Sequence, residues 1–359
     1  MSPRTASCEV AVVGAGVAGL VAADALVRAG RTVRCFEARD RVGGRAMSSE
    51  QAGIVVDLGA TWFWHNEPLV RSLLDRFGLG SFPQSSAGDA LFEPADQPVQ
   101  RLGGNPIDAP SHRFRTGAQS LATALARHIG PEVLSLADPV HGIRHHGGHV
   151  VVHTAGGTHI AEQVIIAVPP ALALEAIAFG PDPPDPLRRI ASATSVWMGE
   201  FVKAVAVFDE PFWRDDELAG AAISHRGPFG EFHDHSAPGA GPGAIFGFAP
   251  AALLTGTSEP DIAEVFRAQL SRMFGGRAGS PRQILATNWA TERRTTPTRR
   301  QAGVSTAGFG HEVFRVPFGD GRLHWASTET ADAYAGHIEG AIRAGLGAAG
   351  RVEDSLLGR

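Results

Sequence analysis

The sequence predicts an α/β fold built on a parallel sheet. Three features of the first forty residues predict it: the β-branched run 9–13, the turn Gly14-Ala-Gly16-Val-Ala-Gly19 that follows at once, and the helical run 20–29 that stops at Gly30. Residues 31–36 read as a second strand, ending in Glu37, 18 residues past Gly19. Strand, tight turn, helix and strand make a βαβ unit. In such a unit the glycines let the backbone approach a pyrophosphate and let the helix pack on the sheet. The helix N-terminus faces the phosphates, and a carboxylate placed like Glu37 accepts hydrogen bonds from ribose hydroxyls. A dinucleotide site is the expectation.

Composition sets the limits around that site. Hydrophobic residues make up 43% and charged residues 19% of the 359, with 44 Gly and 24 Pro scattered, which excludes a disordered chain, a coiled coil and a collagen-like polymer. The length suits two or so domains. Thirty-two basic against 37 acidic residues leave a formal charge of -5, so no global charge favours nucleic acid or a membrane surface. The apolar stretch 10–27 could pass for a signal core or a span, but Gly14, Gly16, Gly19 and Asp24 inside it fit the βα turn better. Cys8 and Cys35 are too few for a disulfide framework or a four-ligand zinc site, and a reducing, cytoplasmic setting is expected. A single tyrosine, Tyr334, rules out any site that needs two.

Residues 38–45 bring a second glycine pair, Gly43 and Gly44, and Arg45 to the same end of the sheet, where a fixed guanidinium suits a pyrophosphate. Residues 56–62 add a glycine-rich approach to a flat ring. Together these segments resemble the flavin-containing amine oxidases, the monoamine, polyamine and L-amino-acid oxidases. The resemblance implies FAD, held in a Rossmann-like domain of the GR2 type beside a smaller mixed-sheet α+β substrate domain. It implies that Gly14, Gly16, Gly19, Glu37, Ala38, Arg39, Gly44 and Arg45 contact FAD, with Glu37 at the adenosine ribose and Arg45 at the pyrophosphate. Gly59, Ala60, Thr61 and Trp62 would lie by the isoalloxazine.

Residues 78–115 show little periodicity and read as a loop-like excursion. A helix over 116–128, a meander from 140 to 161 and a buried strand closed by Pro169 and Pro170 follow, and the resemblance puts the backbone of Val140 on adenine. His141, His145, His146 and His149 match no zinc spacing and read as exposed turn residues. Lys203 stands among apolar residues on an alternating strand that ends in a Pro-Phe-Trp-Arg turn at 211–214. Taken alone, a strand lysine is usually a solvated edge residue. The resemblance instead implies that Lys203 is catalytic and hydrogen-bonds a water next to flavin N5, where a cation stabilises charge on the reduced ring.

The resemblance also places Trp289 against the flavin. The run to Gly303 holds neither Cys nor Tyr, so attachment of the flavin through cysteine is excluded and FAD is expected to be non-covalent. Arg293, Arg294, Arg299 and Arg300 either bind a substrate carboxylate or are solvated. A strand leading into a polar turn over 322–330 and a small-residue helix from Gly336 end the chain, and Thr328 and Glu329 would meet the ribityl-phosphate region. His337 and Ile338 would start the helix beside the pyrimidine. His337 also occupies the position of a cage tyrosine in monoamine oxidases, so the two-tyrosine cage is missing; acid-base work, a hydrogen bond to substrate and neutral packing are its three readings. Trp62, Trp64, Trp197, Phe201, Trp289 and Trp325 offer a different aromatic wall, or core.

The expected division is an FAD domain of 1–80, 116–186 and 287–359 and a substrate domain of 81–115 and 187–286. The expected activity is oxidation of a C–N bond of a small amine to an imine with O2 as acceptor. The alternatives are a desaturase, isomerase or oxidant of nicotinamide-like rings, and a non-catalytic FAD scaffold. No metal, nucleic acid or membrane partner is expected. The chain is short for this family, which implies a reduced cap over the substrate, a site open to solvent or a homodimer that completes it.

Overall fold

The computed structural model describes residues 5–298 and 305–358. Val10 to Val13 are apolar on both faces and almost fully buried, the pattern of a central parallel strand. Thr5–Val13 accordingly lies between Val33–Phe36 and Gly157–Ile166 and parallel to both. Leu134–Ser135 and Leu323–Trp325 extend the parallel set on either side. The predicted meander pairs antiparallel with the first half of Gly157–Ile166 through His149–Thr154 and Val140–His146. Residues 157–166 form one strand where the sequence reads as two, because its first half serves the meander and its second half the parallel core.

The first helix, Val17–Arg28, packs on the last, Ile338–Leu357. Small residues set the approach: a methyl group at Gly345 would lie 2.4 Å from the Ala18 carbonyl oxygen. Gln119–Ile129 shares their core. No helix among the described residues is long and apolar enough to cross a membrane.

The second sheet has seven strands in the order Gln283–Asn288, Phe201–Phe208, Gly243–Pro250, Glu231–Asp234, Leu218–Ser224, Asp89–Glu93 and Gln100–Leu102. It is antiparallel except between Leu218–Ser224 and Asp89–Glu93. Because side chains alternate along a strand, Val202, Ala204 and Ala206 face the helix Glu259–Phe274, while Lys203, Val205 and Val207 face the other way. That second face packs on Ile54 and Val56 of the hairpin Ser48–Gln51/Ile54–Asp57 and on Leu58 just after it. Lys203 is thereby turned toward the glycine-rich segment after Asp57.

The excursion expected over 78–115 is not irregular. It contains Ser81–Pro83, Asp89–Glu93, Gln100–Leu102 and His112–Phe114. The middle two extend the second sheet, and the outer two build a three-stranded sheet with Trp62–Phe63. Each is too short to show an alternating pattern, and each is held by pairing rather than by its own sequence.

Candidate active site

At the carboxyl ends of the parallel strands the chain leaves a groove of about 1300 Å³, part of it open solvent. Gly14 follows the first strand with φ +99°, and its N–H donates to the Phe36 carbonyl at 2.7 Å, tying two strand ends together. A Cβ at Gly14 would lie 2.9 Å from Val168 Cγ1, and one at Gly19 would lie 1.9 Å from the Gly14 carbonyl oxygen, so packing demands both glycines. Gly16 differs. It lines the groove, and no protein atom lies within 4 Å of where its Cβ would stand. Only an occupant of the groove requires that residue to be bare. Gly16 is also the N-cap of Val17–Arg28 and offers no side chain to the first turn, which leaves those N–H groups for an anion.

Glu37, 4% exposed, accepts the Ala15 N–H at 2.8 Å on one oxygen and the Arg39 N–H at 2.9 Å on the other. Both bonds fix the carboxylate at the groove, and each oxygen keeps a lone pair for a ribose hydroxyl. Ala38, Arg39, Gly44, Arg45 and Val140 line the same wall. Arg45 makes a bidentate pair with fully buried Glu329, whose second contact is 3.0 Å. Glu329 therefore acts on the groove through Arg45 and does not itself line it. Backbone N–H groups, a bare glycine, a held guanidinium and a held carboxylate are the donor set a dinucleotide needs, and the residues fit FAD.

At the inner end Lys203 is fully buried in a strand paired on both sides, not at a solvated edge. Its Nζ donates to the Gly59 carbonyl at 3.0 Å and to Thr61 Oγ1 at 2.5 Å, and lies 4.1 Å from the centre of the Phe246 ring. Ala60, between those two partners, lines the groove. Burial pushes the Lys203 ammonium down to about 7; Asp57 opposes this and Arg113 adds to it. Asp57 accepts from Ser48 Oγ at 2.6 Å and from the Ala118 N–H at 2.9 Å. Arg113, which burial lowers to about 10, donates to the carbonyls of His235 and Ser236 at 2.8 and 2.9 Å. His235 Nε2 accepts the Asp57 N–H at 2.8 Å, and burial, with Arg113 and Lys203, holds its pKa far below the usual range. The imidazole is neutral, with its proton on Nδ1.

Gly59 has no room for a side chain, since a Cβ would lie 1.9 Å from the Arg45 carbonyl oxygen. Trp289 is fully buried one layer behind the groove, its Nε1 donating to the Leu58 carbonyl at 2.8 Å. Trp62 donates to Gln84 Oε1 at 3.2 Å. Its ring stands 5.2 Å from Phe246 and 6.4 Å from Trp64, and Trp64 stands 5.0 Å from His337. An aromatic row thus joins His337 to the ring beneath Lys203. Trp197 lines the groove and packs on Phe201 at 4.9 Å, whereas Trp325 belongs to the core.

His337, Ile338 and Thr328 line the groove at the start of Ile338–Leu357. Thr328 Oγ1 donates to the His337 carbonyl and accepts the Gly336 N–H, both at 2.8 Å. The His337 side chain is 42% exposed, and its Nδ1 lies 2.6 Å from Oε1 of buried Glu67. Arg293 and Arg294 line the groove beside Thr295, whose hydroxyl accepts from Arg39 at 2.8 Å, on the same wall as Glu37 and Arg39. Arg299 and Arg300 lie outside the described residues. His141, His145, His146 and His149 lie on the meander, and no group of three or more His, Cys, Asp or Glu placed to hold a metal occurs among the described residues.

Sequence reasoning missed Glu67, Arg113 and His235. None stands in a local motif; only Asp57, inside the 56–62 segment, carried a signal for the buried cluster.

Residues 89–353 match the family of flavin containing amine oxidoreductases, and residues 12–77 match an NAD(P)-binding Rossmann-like domain. The chain is 27% identical to a probable flavin-containing monoamine oxidase A of Dictyostelium discoideum, over 97% of this chain and 98% of that one. It is 25% identical to a putrescine oxidase of Kocuria rosea, over 96% of this chain and 95% of that one. Among solved structures, wild-type putrescine oxidase bound to putrescine superposes with a TM-score of 0.85 at 22% identity, over 99% of this chain and all of the other, which shows the same fold.

Proposed function

The chain belongs to the flavin-containing amine oxidoreductase family and is an FAD-dependent oxidoreductase acting on amines, and we propose that it oxidises the carbon bearing the nitrogen of a small amine to an imine, with O2 as the final acceptor. When bound, FAD supplies a two-electron acceptor for the hydride equivalent leaving that carbon. The observation that carries the proposal is Lys203: a fully buried amine, held by Gly59 and Thr61 on either side of a groove-lining residue. Such a group, fixed and screened from water, stabilises negative charge developing beside it without moving a proton. Gly16 and the helix behind it, with Arg45, hold the pyrophosphate; Glu37 holds the ribose; Thr328, His337 and Ile338 face the ring.

FAD is non-covalent in this reading. Cys8 and Cys35 are both buried in the larger sheet, and Cys35 contacts the Gly14 carbonyl at the nucleotide end of the groove. Two free buried thiols also suit a reducing, cytoplasmic setting. In this reading segments 1–80, 116–186 and 287–359 chiefly bind FAD and 81–115 with 187–286 chiefly present the substrate, while Ser81–Pro83 and His112–Phe114 pair with Trp62–Phe63 and Trp197 reaches the FAD groove.

The test is anaerobic bleaching of the visible flavin band by a panel of amines, amino acids and reduced nicotinamides. Reduction by amines and recovery in air are expected, with recovery slowed at least about tenfold in Lys203→Met. Reduction by nicotinamides alone would replace the proposal with a nicotinamide-oxidising one.

A further inference from the structure

We propose that Glu67 and His337 form a dyad that takes the proton from the substrate ammonium, with His337 as the accepting group and Glu67 as its positioning residue. The proposal rests on the amine-oxidising reading above and adds to it a route for a proton. A hydride equivalent can leave only from a carbon whose nitrogen has a free lone pair, so an amine that arrives as ammonium must first lose a proton.

The geometry supplies the acceptor. Glu67, 1% exposed, precedes the helix Pro68–Phe77; its Oε2 accepts the Trp64 N–H at 3.1 Å and its Oε1 lies 2.6 Å from His337 Nδ1. With one oxygen occupied by a backbone donor, the carboxylate takes the proton on Nδ1 as its second. Nε2 of the neutral ring then carries a lone pair and no hydrogen. His337 is a groove-lining residue, its ring ends the aromatic row from Phe246, and its side chain is 42% exposed.

The surrounding charged groups are otherwise engaged. On the same helix Glu339 accepts the Val70 N–H at 2.9 Å and pairs with Arg343 at 3.2 Å. Arg343 lies over the Tyr334 ring, whose hydroxyl donates to the Asn66 carbonyl at 2.7 Å. Glu329 is tied to Arg45, and His65 is exposed on the loop. Among the described residues Glu67 is the carboxylate in contact with the imidazole.

The step balances as one transfer. The N–H bond of the ammonium breaks, its proton moves to Nε2, and the nitrogen keeps the electron pair. The imidazolium, paired with the Glu67 carboxylate, keeps the proton until the hydride equivalent has left the carbon, and then returns it to water through its exposed side. A glutamine at position 67 removes this order, because its amide can donate to Nδ1, place the ring proton on Nε2 and turn that atom from acceptor to donor.

The experiment follows kcat/KM of the holoenzyme for a simple alkylamine, whose ammonium titrates at ~10.4 as a lysine does, over about pH 7.5 to 9.5. Wild type is expected to be flat, because it draws on the abundant ammonium. Glu67→Gln and His337→Asn are expected to rise about tenfold per pH unit, because they must wait for the neutral amine. A uniform loss with no change of slope means that Glu67 only caps the loop, and overturns the proposal. Nitrogen-15 NMR of histidine-labelled wild-type holoenzyme, with His337→Asn to assign the signal, gives a second readout that needs no turnover. A proton on Nδ1 is expected; one on Nε2 overturns the dyad. Failure of every amine to bleach the flavin would instead remove the amine reading, and the NMR result would stand apart from it.

Discussion

Lys203 shows how a residue type acquires a role from its surroundings. Taking an ammonium out of water costs several kcal/mol unless partners repay it, and here a carbonyl, a hydroxyl and an aromatic face do so only in part. The consequence is a pKa near 7 in the folded chain against ~10.4 in the unfolded one. Between those values the unfolded state binds a proton that the folded state has released, so stability rises with pH across that window. Lys203→Met removes the linkage. Relative to wild type, the variant holoenzyme is expected to be more stable near pH 7 by a few kcal/mol, and the gap should close as pH approaches about 10. Thermal melts of both proteins at several pH values check this; a gap that is constant with pH would place the ammonium in a far better solvated site.

At the scale of elements the glycine turn shows which parts of the fold follow from local chemistry. Gly14 and Gly19 answer to packing within a strand-turn-helix, and Gly16 answers to the groove. Gly16→Ala is therefore expected to leave the fold intact, since no protein atom lies within 4 Å of the added Cβ, while FAD content falls at least about tenfold as the methyl occupies the pyrophosphate's place. Flavin-to-protein absorbance after purification, read beside the melting temperature of the apoprotein, checks both halves. A filled variant would separate the groove from the nucleotide.

The same distinction explains what was legible. The βαβ unit, Glu37, Arg45 and the strand carrying Lys203 could be read because their signals lie within a few residues of one another. The strands inside 81–115 could not, because Asp89–Glu93 takes its place from Leu218–Ser224, more than a hundred residues on. Glu67 and His337 are 270 residues apart, and the Arg113–His235 contact spans 122. Neither pairing leaves a trace in spacing: the packing of Pro68–Phe77 on Ile338–Leu357 brings the first together, and the meeting of the three-stranded sheet with the second sheet brings the other.

At the scale of the molecule, the length of the chain is itself a statement about the site. The alignment with the Dictyostelium relative runs over 462 positions and leaves about a hundred of them without a residue of this 359-residue chain. Here the second sheet carries one long helix, Glu259–Phe274, on the face away from Lys203. Trp197, beside Phe201 and Phe248 at the wall of the groove, is 38% exposed. A closed pocket penalises each excess methylene by about 1–3 kcal/mol, because the walls cannot move aside. An open one lets the excess reach water. The expected outcome is a kcat/KM that changes less than about tenfold from a butylamine to a naphthylmethylamine. A fall of a hundredfold or more would require a wall that one chain does not supply, and a second subunit is the source at hand. Sedimentation equilibrium at assay concentration then separates the cases: a monomer with broad tolerance keeps the open site, and a dimer with a sharp size limit replaces it with one closed by its neighbour.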